Sequence, residues 1–520
     1  MFKKSFTLTC ATLCLTLTLS GQAAQAQPAQ PTVTDNAGAS IVIKPLQDND
    51  ISKGGDLWQG WGTSLCWWAN RIGYHKELTG LSADFFFNKS KGLGLNIMRY
   101  NIGGGDDPSH HHITRTDSDV PGWKVLDAAT GEFVYDYDAD ARQLAVMQAA
   151  VKAAGQDAIV EVFSNSPPYF MTVSGCSTGN FRSEENNLRD DCYPAFAEYL
   201  AHVTDHIVNK LGVKVTSVSP MNEPNTNYWP AFNYKQEGCH FDAGKPQSTI
   251  LTETRKALDR YGLTDVIVAA SDETNPGKQV EEVRLLSAEA RKSIGRINTH
   301  TYGVNDIVQM GQLARQEDIP LWMSEVDGNG TAGRNAGEMA AGLWLADKII
   351  SDINALKPSA WVLWQVIDTH VSKEGFGGRV DKGPLNRAGG YWGLAWADHD
   401  EGKVELTQKY YSMGQFTRYI RPGARIITCP TERRSECRVI AAINSDGSKT
   451  IVTVNLSEQE KNIELDLSDI RVKRGRTTLV RTSGSIADGE HWATMKGPKV
   501  KKGQMQLTLP ANSITTILIK

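Results

Sequence analysis

Long apolar runs are scarce in this chain of 520 residues. Beyond Phe6 to Leu19, no stretch approaches the roughly 18 uninterrupted apolar residues that mark a membrane span, so no bilayer crossing is expected. An excess of basic residues is also missing: Lys and Arg number 55 against 59 acids, for a formal charge of −4. That balance argues against nucleic acid or anionic membrane as a partner. Of the eight cysteines, no pair has the CxxC spacing of a zinc site. The GxGxxG turn of a dinucleotide fold does not follow the first strand-like run. Gly103-Gly104-Gly105 comes after the second run, and the following Asp106-Asp107 repels a phosphate. An internal repeat is absent from the region where strands and helices alternate.

What is present describes a globular protein with an export segment. Met1-Phe-Lys3-Lys4, the apolar stretch and Ala24-Gln25-Ala26 form the basic, apolar and small-residue parts of a secretory signal, with cleavage expected near Ala26. A secreted or periplasmic location follows. Cys10 and Cys14 leave with that segment, and six cysteines enter an oxidising compartment. Disulfides are therefore expected, Cys429–Cys437 first, since the two flank a short polar stretch between strand-like runs, and Cys176–Cys192 next. Hydrophobic residues make up 40% and charged residues 22%, which does not describe disorder.

The chain divides by pattern. Residues 27–38 read as a tether, and residues 39–50 hold a lone strand. Eight strand-like runs then alternate with helix-like stretches: Gln59–Trp68, Leu95–Ile102, Ile159–Asn165, Val215–Met221, Val266–Ser271, Ile297–Tyr302, Leu321–Val326 and Trp361–Ile367. Eight such units close a (β/α)8 barrel, here expected over residues 51–420. From 421 to 520 short alternating runs follow one another at close intervals and read as an antiparallel β-sandwich. The lone N-terminal strand has no partner in a closed barrel and is expected to join that sandwich.

Two glutamates end strand-like runs, Glu223 after the fourth and Glu325 within the seventh. The C-terminal end of a barrel strand is the mouth of the barrel, so the two carboxyl groups can face each other across a cleft. Glycoside hydrolysis needs that pairing: one acid to protonate the leaving oxygen, one carboxylate to act at the anomeric carbon. Either glutamate alone fits an exposed loop equally well.

The segments around them narrow the reading. Trp58-Gln-Gly-Trp-Gly-Thr-Ser-Leu-Cys-Trp67-Trp68, Met98-Arg99-Tyr-Asn101, Ser164-Asn-Ser-Pro-Pro-Tyr169, Met221-Asn222-Glu223-Pro224, Thr299-His300-Thr-Tyr302 and Ser324-Glu325 together resemble glycoside hydrolase family 30. Within it the Gly-Thr-Ser-Leu-Cys-Trp-Trp segment is most similar to endo-β-1,6-galactanases. The resemblance implies a retaining enzyme that cleaves β-1,6-galactan side chains of arabinogalactan by double displacement, with Glu223 as acid/base and Glu325 as nucleophile. Other family specificities (β-1,6-glucanase, xylanase, exo-β-glucosidase or fucosidase) stay open, as does a non-catalytic carbohydrate-binding barrel.

Further roles follow from the resemblance. Glu223 is expected to rest protonated, while Arg99 and Tyr302 keep Glu325 ionised. Asn222 is matched to the sugar 2-hydroxyl, Asp106 to other sugar hydroxyls, and His300 to a place near the nucleophile. Trp364 corresponds to the platform under the reacting sugar, and Tyr169 to a position usually held by tryptophan. Of Trp67 and Trp68 only one is expected to line the cleft, since neighbours on a strand point opposite ways. His110-His111-His112 reads as substrate contact or a solvated loop, because three adjacent histidines cannot all turn to one ion without a kink. No metal or cofactor is expected; a poly- or oligosaccharide is the expected partner.

Overall fold

The computed structural model describes residues 41–43, 57–328, 338–381, 392–429 and 435–519. The expected signal and tether lie outside them. Among the described residues no helix is long and apolar enough to cross a membrane.

Eight parallel strands close into a barrel: Gly60–Ser64, Ile97–Asn101, Ile159–Phe163, Val215–Ser219, Ile267–Glu273, Ile294–His300, Leu321–Val326 and Ala360–Leu363. They occur in the order expected from the eight strand-like runs. Their buried β-branched and aliphatic residues pack outward onto helices such as Ala141–Ala154, Tyr193–Asp205 and Met339–Leu356. The interior departs from an apolar filling. Glu161, on the third strand, accepts hydrogen bonds from Arg99 Nε at 2.8 Å, Ser217 Oγ at 2.8 Å and Asn298 Nδ2 at 3.0 Å, and also pairs with Arg296. Buried charge is tolerable where it is paired and its remaining valences are satisfied. This polar layer fixes Arg99 below the barrel mouth.

The C-terminal region is a two-sheet sandwich. One sheet runs Arg425–Cys429, Cys437–Ile443, Lys449–Asn455, Ser513–Ile519, Thr477–Ser483 and Glu490–Lys496 in spatial order. The other contains Lys461–Asp466 and Gln504–Leu509, and the N-terminal strand Ile41–Ile43 pairs in parallel with Lys461–Asp466, Ile41 opposite Ile463. The helix Gln408–Thr417 wedges between barrel and sandwich. Its Tyr411 carbonyl accepts from Trp492 Nε1 at 2.7 Å, and Arg418 just beyond it stacks 4.2 Å from the Trp492 ring.

The cysteine expectation needs correction. All six described cysteines are buried, and none forms a disulfide among the described residues. Cys429 lies opposite Val439 in the strand register, which leaves Cys437 diagonal to it, and both thiols enter the sandwich core. Diagonal neighbours on adjacent strands lie roughly 7–8 Å apart, too far for a disulfide. Cys176 faces His112 and Thr178, whereas Cys192 sits beside Arg189. Sequence spacing carried no information on these partners.

The triple glycine also has an internal explanation. The N–H groups of Gly104 and Gly105 donate to Glu237 Oε1 at 2.9 and 3.0 Å, so the turn cradles a carboxylate of the same chain. A Cβ at Gly104 would stand 2.5 Å from the Pro167 carbonyl oxygen, which is why the loop after the second strand can press against the one after the third.

Candidate active site

A cleft of about 440 Å³ opens at the C-terminal ends of the strands. Glu223 and Glu325 both line it, and both approach Nδ1 of His300. Their carboxylate oxygens and the His300 ring nitrogen all lie within 4.8 Å of one another. The fourth strand delivers Glu223 through the Pro220-Met-Asn turn, in which Glu223 adopts φ 47° and its N–H donates to the Asp272 carbonyl at 2.9 Å.

Glu325 is held by two donors: Arg99 NH1 at 3.1 Å and the Tyr302 hydroxyl at 3.1 Å. Arg99 is wholly buried and serves three acids at once, Glu161, Asp272 and Glu325. His300 Nδ1 stands 3.1 Å from Glu223 and 3.5 Å from Glu325, with Nε2 3.2 Å from Asp272. Burial alone favours a neutral ring, but the charges of Glu325 and Asp272 and a hydrogen bond to Glu223 raise its pKa to about 10. At neutral pH it is a cation between two carboxylates. Asp272, at the end of the fifth strand, is held down to about 2 in spite of burial by Arg99 and His300, with Ser324 donating to it at 2.5 Å.

The proton order differs from the one expected. Burial pushes Glu325 up to about 7, with His300 and Arg99 opposing the rise and Glu223 and Asp272 adding to it. Glu223 is buried as well, yet the hydrogen bond and charge of His300 and the Tyr228 hydroxyl bring it below its ordinary value. These directions, Glu325 up and Glu223 down, run opposite to the expected resting order. Tyr228 comes from the loop after the fourth strand, and nothing in its local sequence announces that it turns back onto Glu223.

Most of the residues singled out in the sequence converge here. Asn222, Tyr302, Trp364 and Trp67 line the cleft, and Trp67 meets Trp364 edge-on at 5.0 Å. Asn222 Oδ1 is buried without a partner and so is open to an incoming hydroxyl. Trp68 points into the barrel's outer core, where its Nε1 donates to the Ser64 carbonyl at 2.8 Å. Two residues lie elsewhere. Tyr169 and Asp106 border a separate depression, Tyr169 beside Phe133 and Phe170, and Asp106 bound to His112 and the Ser177 N–H. Sequence reasoning missed Tyr228, Asp272, Trp392 and a charged wall of Arg115, Asp117 and Asp368. Asp272 had a signal, a carboxylate at a barrel strand's C-terminal end. Arg115 stacks 4.4 Å from the Trp67 ring, pairs with Asp117 at 3.1 Å and faces Asp368 at 3.8 Å. Trp392 stacks on Tyr302 at 5.9 Å.

Comparison with known proteins places this geometry in context. Residues 48–269 match the family model described as O-glycosyl hydrolase family 30, and residues 423–517 match the glycosyl hydrolase family 30 beta sandwich domain. An endo-beta-1,6-galactanase of Hypocrea rufa is 28% identical over 485 residues, covering 88% of this chain and 91% of that protein. An exo-beta-1,6-galactobiohydrolase of Bifidobacterium longum subsp. longum is 26% identical over 575 residues. That match covers 87% of this chain but spans only 36% of the longer relative. Among solved structures, the catalytic domain of a family 30 xylanase C from Talaromyces cellulolyticus superposes with a TM-score of 0.66 at 19% identity, over 92% of this chain and 99% of that one.

Proposed function

Because this chain belongs to glycoside hydrolase family 30, we propose that it is a retaining endo-β-1,6-galactanase with Glu325 as nucleophile and Glu223 as acid/base. The observation that carries the reading is the approach of the two carboxylates, whose oxygens lie within 4.8 Å of each other. Direct attack requires carboxyl groups about 5–5.5 Å apart, whereas an inverting enzyme keeps them about 6.5–9.5 Å apart to admit a water.

In the first step Glu325 attacks the anomeric carbon while Glu223 gives its proton to the departing oxygen. Arg99 and Tyr302 orient the attacking carboxylate, and Tyr302 keeps its phenol proton because burial and Glu325 push its pKa well up. In the second step Glu223 takes a proton from water, which attacks the glycosyl ester and releases Glu325. The proton must sit on Glu223 when the bond breaks. His300 Nδ1, in reach of both glutamates, is placed to pass it between them. Asn222 takes the sugar 2-hydroxyl, and Trp364 lies under the ring.

Galactan specificity rests on the two galactan-active relatives, one endo and one exo. The exo mode is the second reading, and product length separates the two: a ladder of oligosaccharides early in the digest means endo action, and a single short product means exo action. Retention has its own test. Proton NMR of the first-formed sugar is expected to show the β-anomer, and initial α-anomer from a β-linked substrate overturns the mechanism.

The histidine gives a pH prediction. His300→Asn removes a cation 3.5 Å from Glu325. Loss of a positive neighbour disfavours the carboxylate, so the pKa of Glu325 rises and the acid limb of kcat/KM moves to higher pH, by about 1–3 units. An unchanged profile on an aryl glycoside argues that His300 is not charged in the free enzyme.

A further inference from the structure

We propose a structural zinc site, apart from the catalytic cleft, formed by Asp106, His110, His112 and Cys176. One ligand atom from each of the four residues lies within 4.8 Å of every other. The closest approaches are His112 Nε2 to Asp106 Oδ2 at 2.6 Å, His110 Nδ1 to Asp106 Oδ2 at 3.3 Å, Cys176 Sγ to His112 Nε2 at 3.5 Å and Cys176 Sγ to Asp106 Oδ2 at 3.9 Å. A tetrahedron with zinc bonds of about 2.0–2.3 Å has edges of roughly 3.3–3.8 Å. The set needs expansion at its shortest edge and a modest contraction at its longest ones to hold the ion.

The second layer of contacts fits ligation. His112 Nδ1 lies 2.6 Å from the Asn233 carbonyl, a bond that requires the proton on Nδ1 and leaves the Nε2 lone pair facing the carboxylate. Asp106 Oδ1 is fixed by the Ser177 N–H at 3.1 Å, which aims Oδ2 inward. Cys176 is wholly buried, and its sulfur accepts from the Phe232 N–H at 3.3 Å. Phe232 also covers both imidazoles, its ring 4.9 Å from His110 and 5.5 Å from His112. A simple imidazolium–carboxylate pair accounts for His112 and Asp106. It leaves His110 Nδ1 buried with no hydrogen-bond partner, beside a thiol that faces the same point. An ion at the centre satisfies all four.

The three-histidine run is reconciled with a single ion because only its first and third members turn inward. His110 and His112 both reach the cluster, whereas His111 is exposed. Three ligands come from the loop after the second barrel strand and one from the loop after the third, while Asn233 and Phe232 belong to the loop after the fourth. The site thus pins together three loops, of which the one after the second strand carries Arg115 and the one after the fourth carries Tyr228 and Lys235 to the cleft. Its role is stability and loop placement, and no step of catalysis passes through it. Binding converts the Cys176 thiol to a thiolate and releases that proton to solvent.

The test uses the mature full-length protein purified without an immobilised-metal column. Elemental analysis after incubation with zinc and gel filtration is expected to find one zinc per chain, and a chromophoric chelator to take it up slowly. Cobalt in its place is expected to give a thiolate-to-cobalt charge-transfer band and the intense visible bands of a tetrahedral ion. Cys176→Ser should remove the charge-transfer band, and His112→Ala should weaken zinc binding by about 100-fold or more, beyond what loss of an outer-shell partner does. Wild-type protein that retains no zinc overturns the proposal. So does a Cys176→Ser variant with unchanged stoichiometry and cobalt spectrum, because the ion then lies elsewhere, as in the group formed by Glu223, His300 and Glu325.

Discussion

Replacing Glu325 by alanine is expected to abolish turnover of every glycoside while the protein stays folded. Loss of a covalent nucleophile costs on the order of 10⁵–10⁶-fold in kcat, because the remaining groups can bind and protonate but cannot form the glycosyl ester. Folding should survive for a reason visible in the contacts. Arg99 keeps Glu161 and Asp272 as partners, and His300 keeps Glu223 and Asp272, so no buried charge is stranded. The vacated space lies at the cleft, open to solvent. Azide or formate should therefore rescue an activated aryl glycoside by entering that space, and the product should have inverted configuration. Full activity in Glu325→Ala sinks the assignment, and rescue with retained configuration points to Glu223 as the attacking group.

The second large effect concerns substrate. Galactose and glucose differ in the orientation of O4, and a site that hydrogen-bonds an axial hydroxyl leaves buried polar groups unpaired when the hydroxyl turns equatorial. Such a mismatch reaches factors of about 10⁴–10⁵ in kcat/KM. A strong preference for β-1,6-galactan over β-1,6-glucan is expected, measured as initial rates of reducing-end release on the two polymers. Asp106, matched to sugar hydroxyls, and the Trp67–Trp68 segment, which carries the likeness to galactanases, are the candidates the sequence offers for its source. Of these only Trp67 reaches the cleft. The wall of Arg115 and Asp368 beside Trp67, where burial pushes the Asp368 carboxyl up to about 6, is therefore the expected source. Asp368→Asn should narrow the preference. Equal kcat/KM on both polymers removes the galactan reading and leaves the family and the two glutamates in place.

The sequence by itself determined the architecture and pointed to two carboxylates of the candidate site. Eight β-branched runs at helix-spaced intervals admit few topologies, and a polar residue at the C-terminal end of such a run has one place to go, the barrel mouth. Glu223 and Glu325 were legible on those terms, whereas Arg99, His300, Tyr302 and Trp364 came only from the resemblance to the family. Of Trp67 and Trp68 one lines the cleft, as expected, but not by strand alternation: the strand ends at Ser64 and Trp68 opens the helix Trp68–Ile72. What lies on the long loops was not legible, since loop residues are positioned by contacts far away in sequence. Tertiary structure alone turned Tyr228 onto Glu223, drew Asp106 out of the cleft toward His112 and Cys176, and separated Cys429 from Cys437 by a strand register. It also decided the direction in which each carboxyl pKa is shifted. That depends on the sum of burial and charge at a few ångströms, to which Asp272, Arg99 and His300 contribute from three different strands, and no periodicity in the chain records their meeting.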